Sequence, residues 1–364
     1  MDYPARRRQQ LLGSVRADGP DALLISNPVN VTYLTGFSGD SSCLILRRDR
    51  ALLVSDFRYT EQIAAECPGV EADIRPSGKP ITTAVADALV KLGVRGVGFE
   101  ANHLTVASWE MLREQAKTIN WKAEKDQVEE LRAVKDASEV SAIREAIDIA
   151  ERAFTVFRAL LRPHDCEKDL CDAMENYVRR AGGWCTSFPS IVAVGARAAL
   201  PHAPPTATTV AEADLLLVDW GASGRFYKSD LTRVLATRRI SPKLEEVYGV
   251  VLKAQEAALH AVRPGVKGRD VDAEARAVIA QAGFGEFFDH GLGHGVGLEI
   301  HEAPAVRQNS DVVLQAGNVI TIEPGIYLPG WGGVRIEDDV LVTPEGCEVL
   351  THVPKDLESS AVFI

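Results

Sequence analysis

Leu215-Leu216-Leu217-Val218-Asp219-Trp220-Gly221-Ala222 is an apolar run that ends on an acid. Such a run reads as a buried strand delivering Asp219 at its end. Asp230 follows inside Phe226-Tyr227-Lys228-Ser229-Asp230-Leu231-Thr232-Arg233-Val234, and the segment from Gly221 to Gly224 supplies the turn of a hairpin. Two adjacent strands can therefore aim two carboxylates at one point.

The same device recurs downstream, with Glu323 in Val319-Ile320-Thr321-Ile322-Glu323-Pro324-Gly325 and Glu337 in Val334-Arg335-Ile336-Glu337-Asp338-Asp339-Val340. Strand alternation sets Thr321 with Glu323 and Arg335 with Glu337, and leaves Ile320, Ile322, Val334 and Ile336 for the buried face. Acids at such central positions require partners, because a buried charge is costly unless paired or metal-bound. Divalent cations would neutralise the four carboxylates, and one imidazole would complete the set.

That imidazole comes from His290-Gly291-Leu292-Gly293-His294-Gly295-Val296-Gly297-Leu298-Glu299-Ile300-His301-Glu302. Its glycines argue against a helix and for extended backbone that something must approach closely. The spacing does not fit a dinucleotide loop. An oxygen-dominated site with one histidine and no thiolate suits Mn²⁺ or Co²⁺ at least as well as Zn²⁺.

Taken together, these motifs resemble the pita-bread metallopeptidases that cleave Xaa-Pro bonds, aminopeptidase P and prolidase. Pro201-His202 with a following proline, the Asp219/Asp230 pair, His290 through His301, Glu323-Pro324-Gly325 and Gly333-Val334-Arg335-Ile336-Glu337-Asp338 carry the likeness, which spans essentially the whole chain. It implies an α+β protein in two parts. Residues 1–125 would form a smaller creatinase/prolidase-like α/β domain, and residues 126–364 a pita-bread catalytic domain of curved sheet backed by helices. It also implies two divalent metal ions, Mn²⁺ foremost, on Asp219, Asp230, His294, Glu323 and Glu337, with Asp230 and Glu337 bridging them.

In such a site a hydroxide held between two metals attacks a polarised carbonyl. The resemblance makes His202, His290 and His301 substrate-contacting histidines, Glu323 a proton relay to the leaving nitrogen, and Arg335 the residue that orients Glu337 or the substrate. Tyr327 is a further candidate for the wall. An Xaa-Pro bond calls for a dedicated pocket, since its tertiary amide has no N–H and its ring fits ordinary proteases poorly. The expected substrate is a proline-containing peptide, either a dipeptide or a longer chain, and the expected assembly a homodimer. Three readings compete: a creatinase-like hydrolase, a methionine aminopeptidase-like enzyme, and a non-catalytic pita-bread binding protein. Intact ligands at all five positions count against the first and third. The long first domain and the motif around His202 count against the second.

The 364 residues suit about two domains. A net charge of −11 disfavours nucleic acid and anionic membrane as partners. No run reaches the roughly 18 apolar residues of a membrane span, and the polar stretch after Arg6-Arg7-Arg8 does not read as a signal peptide. Six cysteines without paired spacing fit a reduced, cytoplasmic protein. The triple arginine is read as the wet face of a helix over residues 4–18, Asn30, Tyr33 and Gly36 as a turn, and Val128 to Leu161 as one helical stretch. A polar segment, Trp121 to Asp126, marks the expected domain boundary.

Overall fold

The computed structural model describes residues 2–362 and 364, which divide into two compact units, Met1–Arg132 and Ala133–Ile364. Each has its own sheet system and its own core. In the first, strands β1 (Ala22–Ile25), β2 (Cys43–Leu46), β3 (Ala51–Asp56), β4 (Glu71–Arg75), β5 (Gly96–Glu100) and β6 (Asn120–Glu124) form one mixed sheet ordered β4-β3-β2-β1-β5-β6. Leu24, Ile45, Val54 and Val97 of this sheet share a core with Val85 and Leu89 of the helix Ile81–Lys91.

Two expectations fail here for local reasons. Pro28–Thr35 is a helix rather than a turn: the Asn27 carbonyl oxygen Oδ1 accepts the Val29 N–H at 3.0 Å, proline occupies the first turn, and Gly36 closes the end at φ +80°. Arg7 is not on a wet face. It is buried, with its guanidinium 4.4 Å from the Tyr33 ring centroid and Nη1 donating to the Tyr33 carbonyl at 3.2 Å. The stacked guanidinium thus docks the first helix, Tyr3–Ser14, on the second.

The polar segment at residues 121–126 precedes the division between the units. Helix Gln127–Ala133 packs with the first unit, where Arg132 Nη1 donates to Asn30 Oδ1 at 2.9 Å. The helical stretch from Val128 to Leu161 is correspondingly broken. A new helix, Ala137–Leu160, starts at a capping box in which Asp136 accepts the N–H groups of Ser138 and Glu139, and Glu139 Oε2 accepts that of Asp136.

The second unit contains β7 (Cys185–Thr186), β8 (Ile191–Val194), β9 (Leu215–Trp220), β10 (Ala222–Ser223) and β11 (Leu231–Ala236). It continues with β12 (Gly293–Gly295), β13 (Glu302–Val306), β14 (Val319–Ile322), β15 (Gly325–Leu328), β16 (Gly332–Arg335), β17 (Asp338–Val342) and β18 (Cys347–Val349). One sheet runs β11-β9-β8 and another β13-β12-β14-β17-β18, with β15 and β16 forming a hairpin. β9 and β11 pair antiparallel as expected, although the connection holds a short strand, β10, that pairs with β7 instead of making a tight turn.

Alternation along β9 feeds two cores. Leu216, Val218 and Trp220 pack with Phe154 and Phe157 of helix Ala137–Leu160, while Leu215 and Leu217 pack with Val247 and Val251 of helix Pro242–Ala261. The second core also takes Ile320, Ile322, Val334 and Ile336, the residues whose alternation assigned them to the buried face. Burying both faces of these strands leaves the polar side chains at their ends to converge.

Candidate metal centre and active site

Asp219 lies near the end of β9, directly opposite Thr232 of β11, and Thr232 in turn bridges to Glu337 in the step between β16 and β17. Asp230 precedes β11, where its N–H donates to Asp339 Oδ2 at 3.0 Å. Glu323 follows β14. His294 is the central residue of β12, between two glycines that the packing demands: a Cβ at Gly293 would collide with the Thr321 carbonyl of β14, and one at Gly295 with the Ala303 carbonyl of β13. Only bare backbone lets this strand sit between its neighbours.

The five sequence-derived ligands come together. Atoms of Asp230, His294 and Glu337 lie within 4.8 Å of one another. His294 Nε2 is 3.3 Å from Glu323 Oε1 and 3.6 Å from Asp230 Oδ2. All five border a cavity of about 680 Å³, as do His202, His290, His301 and Arg335. Phe188, Ile191 and Ile300 add an apolar wall that the sequence did not single out.

Arg335 ties the acids into one frame. Nη2 donates to Asp219 Oδ2 at 2.5 Å, Nε to Thr232 Oγ1 at 3.0 Å, and Nη1 to the Tyr327 hydroxyl at 2.8 Å. Thr232 Oγ1 donates onward to Glu337 Oε2 at 2.6 Å. Thr232 is the functional residue that the sequence reading missed. Its place two residues after Asp230, on the same strand face, was the available signal.

The histidines divide by their partners. Nδ1 of His294 faces the Gly295 carbonyl at 3.1 Å, so it carries the proton and Nε2 presents its lone pair. Nδ1 of His290 likewise faces the Gly291 carbonyl at 2.8 Å, which leaves Nε2 to accept the Tyr327 hydroxyl at 2.9 Å. Burial lowers both imidazoles to about 4, helped by Arg335 beside His290 and by His301 beside His294, so both are neutral near pH 7. His301 stands edge-on to His294 with ring centroids 4.4 Å apart. His202 and His301 are exposed on the wall.

Burial also raises the acids. Glu323 is pushed up to about 8, and Asp230 and Glu337 stand well above the carboxylate range, both lifted further by Asp219 and Glu323, and Asp230 also by Glu337. An imidazole lone pair aimed at two carboxylate oxygens is repulsive unless a proton or a cation lies between them. Asp219 Oδ1, moreover, is buried without a hydrogen-bond partner. The donor set therefore fits a divalent cation held mainly by oxygen.

Residues 141–344 match the sequence profile of metallopeptidase family M24, and residues 7–134 that of the creatinase/prolidase N-terminal domain. An uncharacterized peptidase of Bacillus subtilis, YqhT, is 38% identical over 93% of this chain and 96% of its own length. The solved structure of an Xaa-Pro dipeptidase from Bacillus anthracis superposes with a TM-score of 0.92 at 37% identity, covering 97% of this chain and 99% of that one. An X-Pro aminopeptidase from Thermotoga maritima gives 0.90 at 35%, covering 96% and 99%. With catalytic-domain profile, fold and a cation-fitting set of donors in agreement, the chain belongs to metallopeptidase family M24 and depends on divalent metal.

Proposed function

We propose that this metallopeptidase hydrolyses the bond between an N-terminal residue and proline, in Xaa-Pro dipeptides and at the start of longer Xaa-Pro peptides. The observation that carries the reading is the convergence of four carboxylates and one imidazole on a cavity with an apolar wall, in a fold shared with an Xaa-Pro dipeptidase and an X-Pro aminopeptidase. We assign the site two divalent ions, Mn²⁺ before Co²⁺ or Zn²⁺, on Asp219, Asp230, His294, Glu323 and Glu337. Bound there, they would polarise the scissile carbonyl and make water nucleophilic near neutral pH.

The chain's own residues do the rest. Proline's nitrogen bears no hydrogen in the peptide and leaves well only when protonated. Glu323, part-exposed at the cavity, is the group we assign to deliver that proton. His202 and His301 meet the substrate and the charge developing on its carbonyl oxygen. His290 has both ring nitrogens engaged within the protein, so it acts through Tyr327. Arg335 is already committed to Asp219, Thr232 and Tyr327 and orients the acids. Phe188, Ile191 and Ile300 supply apolar surface for the proline ring.

We place the protein in the cytoplasm as a homodimer acting on peptides. A net charge of −11 sets it apart from nucleic-acid binders, and no helix among the described residues is long and apolar enough to cross a membrane.

The test compares an Xaa-Pro dipeptide with an Xaa-Pro-Xaa tripeptide, using chelator-stripped protein before and after Mn²⁺, Co²⁺ or Zn²⁺ is restored. Cleavage should be absent in stripped protein and return with metal, most strongly with Mn²⁺ and at about two ions per chain. The ratio of kcat/KM values separates dipeptidase from aminopeptidase preference. Folded protein that cleaves neither peptide with any of these metals would overturn the proposal.

A further inference from the structure

Lys135 has no solvent exposure at its side chain, and its ammonium lies 2.7 Å from Glu302 Oε1, itself in a side chain only 6% exposed. Taking both charges out of water is costly before any attraction is counted, so such a pair is a poor device for stability alone. Its surroundings connect it to the catalytic loop. Glu302 opens β13 immediately after His301, and its carboxylate packs so closely on Gly297 that any Cβ there would collide with it. Gly297 lies two residues beyond β12, the strand that carries His294, whose ring stands against that of His301.

The lysine is itself fixed. Its N–H donates to the Gly317 carbonyl at 2.8 Å, and Asn318 Nδ2 donates to the Ala133 carbonyl at 2.8 Å, so residues 133–135 are stitched to the start of the strand that leads to Glu323. Nearby, Asp339 is a wholly buried acid that holds the Asp230 N–H on Oδ2 and has no hydrogen-bond partner on Oδ1.

We propose that Lys135 is a positioning residue for hydrolysis: by holding Glu302 against Gly297 it sets the orientation of His301 beside His294. The kinetic part rests on the Xaa-Pro peptidase reading, in which His301 meets the substrate. The geometric part does not.

The experiment uses full-length Lys135→Met, Glu302→Gln and the double variant. It measures kcat and KM on an Xaa-Pro tripeptide with Mn²⁺, metal content per chain, and the His301 imidazole signals by NMR in the zinc-loaded protein. Lys135→Met should lower kcat/KM by about tenfold or more with metal content unchanged, shift the His301 signals, and add little to Glu302→Gln in the double variant. A Lys135→Met protein that melts earlier but keeps wild-type kcat, KM and His301 signals would overturn the proposal. Should Lys135→Met not fold, Glu302→Gln decides: unchanged kinetics and an unmoved His301 overturn it, and a tenfold loss with a shifted His301 supports it. If the wild type cleaves no Xaa-Pro peptide, the peptidase reading fails, while the His301 signals still judge the positioning claim.

Discussion

Removing one oxygen atom, at Tyr327, would disconnect Arg335 from His290. The tyrosine hydroxyl accepts from Arg335 and donates to His290, and burial holds the phenol up at about 12 against the pull of Arg335, so it stays protonated. Tyr327→Phe leaves a buried imidazole nitrogen without a partner, a loss of roughly 1–3 kcal/mol. No metal ligand is touched. The expected result is a fall in kcat/KM of about tenfold or more with metal content per chain unchanged. Loss of metal alongside activity would show instead that Tyr327 supports the ligands through Arg335. The placing of Arg335 beside Glu337 was legible from strand alternation, and it holds. Thr232, which accepts from Arg335 and donates to Glu337, was not, because a threonine in a strand usually signals nothing beyond β-propensity.

At the scale of elements, the histidine strand depends on what lies beside it. Gly293→Ala would push a Cβ into the Thr321 carbonyl of β14, and β14 is held by pairing with both β12 and β17. Overpacking against fixed backbone costs on the order of 1–3 kcal/mol or more. The melting temperature should therefore drop by several degrees, and metal affinity with it, whereas Gly346→Ala, whose Cβ would meet nothing within 4 Å, should leave both alone. Equal melting curves for the two variants would refute the argument. The glycine run itself announced a close approach, yet not what approaches, because the order β13-β12-β14 joins segments distant in sequence. The break between the two helices around Lys135 was readable in the capping box Asp136-Ala137-Ser138-Glu139, which the longer apolar periodicity concealed. Arg7 was misread for a related reason: triple-arginine composition says nothing about the Tyr33 ring that covers one of the three.

For the whole molecule, the metal centre couples stability to pH. Without cations, native Glu323 holds its proton up to about 8, and Asp230 and Glu337 hold theirs well above the carboxylate range, while the unfolded chain releases all three near pH 4 to 4.5. The native state then binds more protons than the unfolded state. Its stability falls as pH rises, by about 1.4 kcal/mol per pH unit for each proton that it alone holds. His290 and His294, depressed to about 4, work in the opposite direction, but only below roughly pH 6.5, where unfolded histidine becomes charged. Asp338 adds stability that is lost only in acid: burial opposes its charge, yet Arg233 and Lys355 hold it at about 2. Between about pH 6.5 and 8 the carboxylates therefore dominate. Chelator-stripped protein should lose melting temperature steadily across that window. Metal-loaded protein, with those protons displaced, should not, and the gap between the curves should widen with pH as ligand deprotonation favours binding. Parallel curves would mean that these acids are not the groups the metal neutralises, and the assignment of Asp230, Glu323 and Glu337 as ligands would fall with them.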